Sequence, residues 1–511
     1  MLARARKFKP APHGAAATMF LRLLGVIYLL AFLSLWIQVD GLIGSQGIIP
    51  FADLLTLLRK ERSDIGFWQL PTLLWLDSSD AAIHLLCGAG TLLACIAIVA
   101  PLCAGLWILL WAFYFSLYTA GQDFLGFQWD ILLLETGFLA IFLSPLAILP
   151  AWRRSYTPSW IPLLLLWWLL FRLMVASGVV KITWGDPSWQ LGDLTALTYH
   201  YETQCIPTWT AWYMHHLPAW LQKATCGAMY FIEIIGPTLF FLGKRLRRIG
   251  CILQVALQLV IIATGNYGFF NYLTLSLCVL LWDDERWPAW LRGKPEEAGK
   301  AEAAPVRLAW HWPTWIVAPV GACVFASSLL VFIEGLSPGP IPAPAWLRPT
   351  LDTLSGWTSP LQRHHVINSY GLFRGMTKER PEIVIEGSDD GNEWKAYEFK
   401  YKPGDLARRP VFVAPHQPRL DWQMWFEALR PQAASQWFIG LLKRILEGSP
   451  PVLELLERNP FPDKPPRFLR AIRYDYRFTT AEERQSSGHW WKRAEPAPYV
   501  QPVTIERFRR G

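Results

Sequence analysis

A chain of 511 residues of which 52% are hydrophobic and only 17% charged, with a positive mean hydropathy, is too apolar for an ordinary soluble protein and belongs in a membrane. Its formal charge of +8 does not indicate a nucleic-acid partner, because the basic residues fall mostly in short clusters between apolar runs and across the C-terminal third. Tryptophan occurs 29 times, often at the ends of those runs, where an indole keeps its ring in lipid and its N–H in the interface.

The basic start "MLARARKFKP" precedes an apolar run without a small-residue cleavage site, and is read as a tail before a retained first helix. Runs long enough to cross roughly 30 Å of hydrocarbon at about 1.5 Å per residue lie at 19–38, 81–100, 102–119, 127–149, 159–181, 224–242, 249–265, 268–282 and 313–333. The expected fold is a multi-span α-helical membrane bundle of about nine transmembrane helices, the eighth being the shortest, followed by a C-terminal β-rich α+β extramembrane domain. "FADLLTLLRKE" is too short to span and one-sided, so it is expected in the interface or packed on the bundle.

Lysine and arginine are enriched in cytoplasmic connections. With nine spans the N-terminal tail, "AWRRSY", "GKRLRR" and the 283–312 linker fall on the cytoplasmic side. The loop 182–223 and everything after about 335 then face outward, to the periplasm if the chain is bacterial or the endoplasmic reticulum lumen if it is eukaryotic. The expected division is a tail at 1–18, a polytopic membrane domain at 19–335 and an outward β-rich domain at 336–511.

In the outward part, "PEIVIEGSDDGNEWKAYEFKY" alternates apolar and polar residues about a turn-forming "SDDGN" and reads as a hairpin. "DWQMWFEALR" and "WFIGLLKRILEG" have helical spacing, and "RFLRAIRYDYRFTT" reads as a further strand. The eight cysteines include no C-x-x-C pair, so neither a disulfide framework nor a metal or other cofactor is expected.

Ionisable residues inside a span are costly and default to facing a partner or a water-filled cavity. Glu135, Arg172 and Glu233 fall at one depth, roughly 12 to 14 Å from the outer ends of their helices, and Gln258 reaches nearly the same level. A buried polar layer follows as an expectation, with Arg172 paired to Glu135 or Glu233. The stretch "SGVVKITWGDPSW" then closes the fifth run. Lys181 either snorkels to the headgroups or turns into the bundle, and Trp184, Asp186 and Trp189 either form an interfacial turn or belong to a site. His200, Glu202, His215 and His216 have no metal-ligand spacing with a third partner.

Long blocks carry a resemblance: "GQDFLGFQWDILLLETGFLAIF", "FRLMVASGVVKITWGDPSWQLGDLTALTYHYETQCIP", "TGNYGFFNYLTLSLCVLLWDDE", the region from "NSYGLFRGMTKERPEIVIEG" to "RLDWQMWFEAL", and "NPFPDKPPRFLRAIRYDYRFT". In these the chain resembles the lipase maturation factor family over nearly its whole length. The resemblance implies a polytopic membrane protein, surrounded by lipid, that helps secreted lipases reach their active, assembled state. It also implies client or folding surfaces in the loop from Gly185 to Pro207 and in the outer domain from "NSYGLFRGMTK" to "RLDWQMWF", without saying which residues make contact. Trp184, Asp186, Trp189, Tyr199, Tyr201, Glu202, Trp422 and Trp425 are the candidates for binding a client or ligand, with lid packing over the bundle the other reading of Tyr199 and Tyr201. The absence of an N-x-S/T sequon and the lean loops look bacterial.

A shorter similarity joins "SGVVKI" and "GDPSWQLG" to the vitamin K-dependent γ-carboxylases. It implies an alternative: a membrane enzyme with Lys181 as base and His200 as acid or orienting group. A weaker alternative is transport of a lipid or small amphiphile through the polar layer. No nucleophile elbow, P-loop or dinucleotide fingerprint is found, and a non-enzymatic maturation factor is the favoured expectation.

Overall fold

The computed structural model describes residues 14–62, 64–147, 158–287, 311–339, 348–430, 434–494 and 496–509. The basic tail, "AWRRSY", the charged 292–305 stretch and most of the proline-rich spacer before residue 348 lie outside the described residues.

Every apolar run carries a helix. The chain opens with α1 (Gly14–Trp36), the short α2 (Val39–Ile43) and the one-sided α3 (Phe51–Glu61), followed by α4 (Asp80–Val99), α5 (Ala104–Gly121), α6 (Gln128–Leu143) and α7 (Trp160–Thr183). Then come α8 (Ala196–Thr203), α9 (Trp209–His215), α10 (Ala219–Tyr230), α11 (Lys244–Thr264), α12 (Phe270–Val279) and α13 (Thr314–Gly335).

Among the described residues seven helical segments are long and apolar enough to cross a membrane, where nine spans are expected from the sequence. The two exceptions are α6, with 16 residues, and α12, with 10. At about 1.5 Å per residue they fall short of the hydrocarbon thickness. Both are largely buried, so protein rather than lipid surrounds them. The central helix is α7, whose apolar window is 72% buried, against 28% for α11 and α13. Leu85, Leu92, Val99, Leu259 and Val260 stand exposed on the outer helices, a surface that lipid covers.

The span at 219–241 begins earlier than the run at 224–242 suggests, and it is not a uniform helix. After α10 it passes through a π turn at Phe231–Ile235 and a 3-10 segment at Gly236–Phe241. Pro237 explains the change: it has no N–H to donate and its ring crowds the carbonyl four residues back, at Glu233. The close α1–α4 contact needs glycine on both sides. A Cβ on Gly25 would sit 3.0 Å from the Ile98 nitrogen, and one on Gly90 would sit 2.4 Å from the Phe32 ring.

The C-terminal region starts with α14 (Arg348–Arg363) and builds an antiparallel sheet from β1 (Pro381–Ser388), β2 (Lys395–Phe399), β3 (Leu456–Arg458), β4 (Phe468–Phe478), β5 (Trp491–Arg493) and β6 (Ala497–Val503). The order is β3-β2-β1-β4-β5, with β6 also on β4. The hairpin read from "SDDGN" forms as β1 and β2, with Ile385 opposite Tyr397. Helix α15 (Arg419–Ala428) packs on β1. The amphipathic α16 (Gln436–Glu447) is capped by Ser435, which accepts from the Phe438 N–H, and ends at left-handed Gly448. Four short helices complete the outer part: the turn at Pro187–Trp189, a single turn at Pro450–Leu453, and helices at Ala481–Ser487 and Ile505–Arg509.

Candidate functional site

Side chains from the C-terminal region reach into one end of the bundle and pair with its acids. Arg172 on α7 ion-pairs with Glu135 on α6. The "NSYG" stretch completes this centre: Asn368 Nδ2 donates to Glu135 at 3.1 Å, Tyr370 Oη donates at 2.7 Å, and Arg172 donates to the Asn368 carbonyl at 3.2 Å. A second centre lies beside it, where Arg419 makes two bonds to Asp130, at 2.7 and 2.8 Å, and Tyr114 Oη donates to the same carboxylate at 2.5 Å. A third anchor is Arg380, which donates to the backbone carbonyls of Glu202 and Cys205 at 2.7 and 2.8 Å and ion-pairs with Glu382. Each charge is buried, so each depends on its partner.

Glu233 does not join the Arg172 centre. The π turn carries its carboxylate to Lys181, 2.8 Å away, on the last turn of α7. Lys181 is 4% exposed and therefore turns into the bundle instead of snorkelling. Gln258 accepts from Asn271 Nδ2 at 2.7 Å and meets only the Met174 sulfur through its own amide. The single polar layer expected from depth is thus two separate centres, because helix rotation as well as depth decides which side chains meet.

Lys181, Glu233 and Gln258 line one cavity of about 120 Å³, together with His200, Trp189 and Tyr267. His200 sits on α8 with Nε2 3.3 Å from Tyr267 Oη, which in turn donates to Gln204 at 2.9 Å. Burial, then the Lys181 charge, hold the His200 pKa down to about 4, so its ring is neutral. Its Nδ1 has no hydrogen-bond partner among the described residues, nor has the Trp189 N–H. Arg172 is not part of this cavity.

Several candidate client contacts are interior residues. Trp189, Tyr201, Glu202, Trp422 and Trp425 are between 2% and 9% exposed, which corrects the expectation that they face a client. Trp189 and Tyr201 share an apolar core with Trp212, Tyr230, Tyr476, Phe478 and Trp491, so the loop after α7 is clamped between bundle and sheet. Trp422 packs at 4.7 Å on Trp129, and Trp425 donates to the Thr203 carbonyl at 2.9 Å.

Asp186 caps the turn at Pro187–Trp189 through the Ser188 N–H at 2.8 Å and also receives the Met376 N–H. Trp184 is 39% exposed beneath the Arg374 guanidinium, and Tyr199 is half-buried beside Lys378. Glu202 ion-pairs with Arg477 at 3.3 Å and lies 3.1 Å from the ring of His215. Exposed aromatics near this loop include Tyr213, Trp220 and Phe412, exposed to 50%, 70% and 47%.

Asp130, Asn368, Tyr370, Arg380 and Arg419 were not singled out from the sequence. Asp130 had a signal, an acid on the edge of an apolar run. The others did not, since a loop arginine or asparagine reads as solvated until its partner is known.

These features define a polytopic membrane protein whose C-terminal region is keyed into its helical bundle by buried charges. A family model of the lipase maturation factor transmembrane domain matches residues 15–289, and one of the lipase maturation factor C-terminal domain matches 366–501. The chain is 39% identical to lipase maturation factor 2 of Gallus gallus, over 95% of this chain and 81% of that protein. It is 38% identical to the Homo sapiens lipase maturation factor 2, covering 95% and 82%, and 34% identical to lipase maturation factor 1 of Bos taurus, covering 96% and 89%. The chain belongs to the lipase maturation factor family. No solved structure matches it.

Proposed function

We propose that the protein assists the folding, assembly or maturation of a secreted lipase-like client at the outer face of the membrane it spans. The observation that carries this reading is similarity to lipase maturation factors along nearly the whole chain, membrane part and C-terminal part together. In this reading the buried anchors hold the described part of the C-terminal region on the bundle, and the client meets the surface at Tyr213, Trp220 and Phe412. The basic turn before α11 lies on the cytoplasmic side, and the loop after α7 shares the outer compartment with the C-terminal domain. That compartment is the periplasm of a bacterium or the lumen of the endoplasmic reticulum.

The test is deletion of the gene in its own host, followed by measurement of each secreted hydrolase for both amount and activity. Loss of activity per molecule of one lipase, restored by the intact gene and not by a Tyr213→Ser, Trp220→Ser, Phe412→Ser variant that folds normally, is the expected result. Secreted hydrolases unchanged in amount and activity would sink the proposal.

A further inference from the structure

The cavity beneath the loop after α7 has a composition that the maturation role does not call on. Its walls are mainly apolar, from Leu173, Met174, Leu257, Ile261 and Phe270, and polar groups gather around Lys181, Glu233 and His200. At 10 to 15 Å³ per water-sized group, its 120 Å³ holds roughly ten non-hydrogen atoms. Leu372 and Phe373 also line it, and Phe373 adopts the left-handed region at φ 56° with its ring 4.8 Å from His200.

The way in is from lipid. The span at 219–241 packs on α11 mainly through its 231–241 part, leaving α10 apart from α11 nearer the outer face. Between them the wall is formed by half-buried Thr225 and Met229 and by Val260, which is 46% exposed on the lipid-facing side. A molecule already dissolved in the bilayer reaches the cavity without crossing water.

The charges state which head group fits. Lys181 and Glu233 are the charged side chains on the wall, and at 2.8 Å they balance each other. A further carboxylate or phosphate would leave a net charge in a low-dielectric site. The Trp189 N–H, buried and without a partner among the described residues, can donate to an uncharged oxygen. His200 Nδ1, likewise buried and unpartnered among the described residues, can accept from a hydroxyl because Nε2 carries the ring proton toward Tyr267.

We propose that this cavity binds the head group and first acyl carbons of a neutral single-chain amphiphile of the monoacylglycerol type, entering between α10 and α11. The first chain carbons lie against Leu173, Met174 and Leu257 while the rest of the chain stays in lipid between α10 and α11. A head-group hydroxyl donates to His200 Nδ1, and the Trp189 N–H donates to the ester carbonyl. The site stands on its own geometry and does not depend on which client the protein serves.

The full chain in lipid nanodiscs, exposed to a photoreactive diazirine analogue of monodecanoylglycerol, tests this. Labelling is expected to saturate and to map to α7, α10 or α11 residues facing the cavity. An excess of about tenfold of unlabelled monodecanoylglycerol should suppress it, and the same excess of decanoate should not. Ser177→Leu inside the cavity and Met229→Trp at its entrance should each lower labelling about fivefold or more, while Leu85→Trp on the lipid face of α4 leaves it unchanged.

Labelling that spreads over lipid-facing surfaces and ignores both occluding substitutions would mean annular lipid only and overturn the proposal. Equal competition by decanoate would overturn the neutral head group. If either occluding variant is not a folded monomer by gel filtration, the His200 pair decides: His200→Gln keeps saturable labelling, and His200→Phe loses it. Equal labelling of both His200 variants would again overturn the proposal.

Discussion

Arg419, at the start of a C-terminal helix, holds Asp130 of the bundle through two bonds of 2.7 and 2.8 Å, both side chains fully buried. The two residues are far apart in the chain and belong to the two matched halves of the family. Removing one partner leaves the other charged and desolvated. Arg419→Met should therefore cost about 3–5 kcal/mol and lower the thermal midpoint of the purified protein. Arg419→Met combined with Asp130→Leu should recover most of that loss, and a double variant no better than the single would refute the pairing.

The Glu135 carboxylate has three donors, Arg172, Asn368 and Tyr370. Tyr370→Phe deletes one hydrogen bond to a charged group and keeps the ring, so a loss of about 1.5–3 kcal/mol is expected in denaturation measurements. Arg172→Leu should be worse, because it strands Glu135. Normal stability of Arg172→Leu would show that the pair is dispensable.

Acid should loosen the join between the two parts. His416, whose Nδ1 lies 2.9 Å from Ser34 Oγ on α1, has its pKa pushed down to about 4 by burial and then by the Arg419 and Lys400 charges. His200 is held down to about 4 as well. A lowered folded-state value means that the unfolded chain takes up the proton first. The stability from these neutral rings is present above pH 6.5 and is lost as pH falls toward 4. A melting temperature about 5 °C lower at pH 5 than at pH 7.5 is expected, with a smaller difference in His416→Gln. A pH-independent melting temperature would contradict it.

Gly41 marks a second join. A Cβ there would sit 2.3 Å from the Pro451 carbonyl oxygen, a backbone atom that cannot swing aside. Gly41→Ala should destabilise by about 1–3 kcal/mol and speed amide hydrogen exchange at Val452 and Leu453. Gly227 on α10 has nothing within 4 Å of its Cβ position, so Gly227→Ala should be neutral or stabilise by up to about 1 kcal/mol. The reverse order of the two effects would be a clear failure.

Much of the architecture was legible in the linear order of residues. Apolar runs of bilayer length, a turn-forming "SDDGN" between alternating segments, and the amphipathic 436–447 stretch are local patterns, and local hydrogen bonding realises them as helices and strands wherever they lie. Long blocks in register carried the family for the same reason. The shortness of α12 and the break at Pro237 were half legible: proline announces a disturbance, whereas the π turn that delivers Glu233 to Lys181 depends on what packs beside it.

Partnerships were legible only in part. Depth and charge paired Arg172 with a carboxylate, and the structure makes that carboxylate Glu135, whereas rotation about the helix axis turns Glu233 away to Lys181, and packing between helices sets that rotation. Trp189, Tyr201, Trp422 and Trp425 looked like surface aromatics because nothing local says that a sheet from the far end of the chain will cover them. Lys181 shows the same limit: its helix face allowed lipid or interior, and Glu233, 52 positions away, draws it inward. Spacing along the chain governs which element forms; contact between elements governs which charges are neutralised, and therefore where a site can exist.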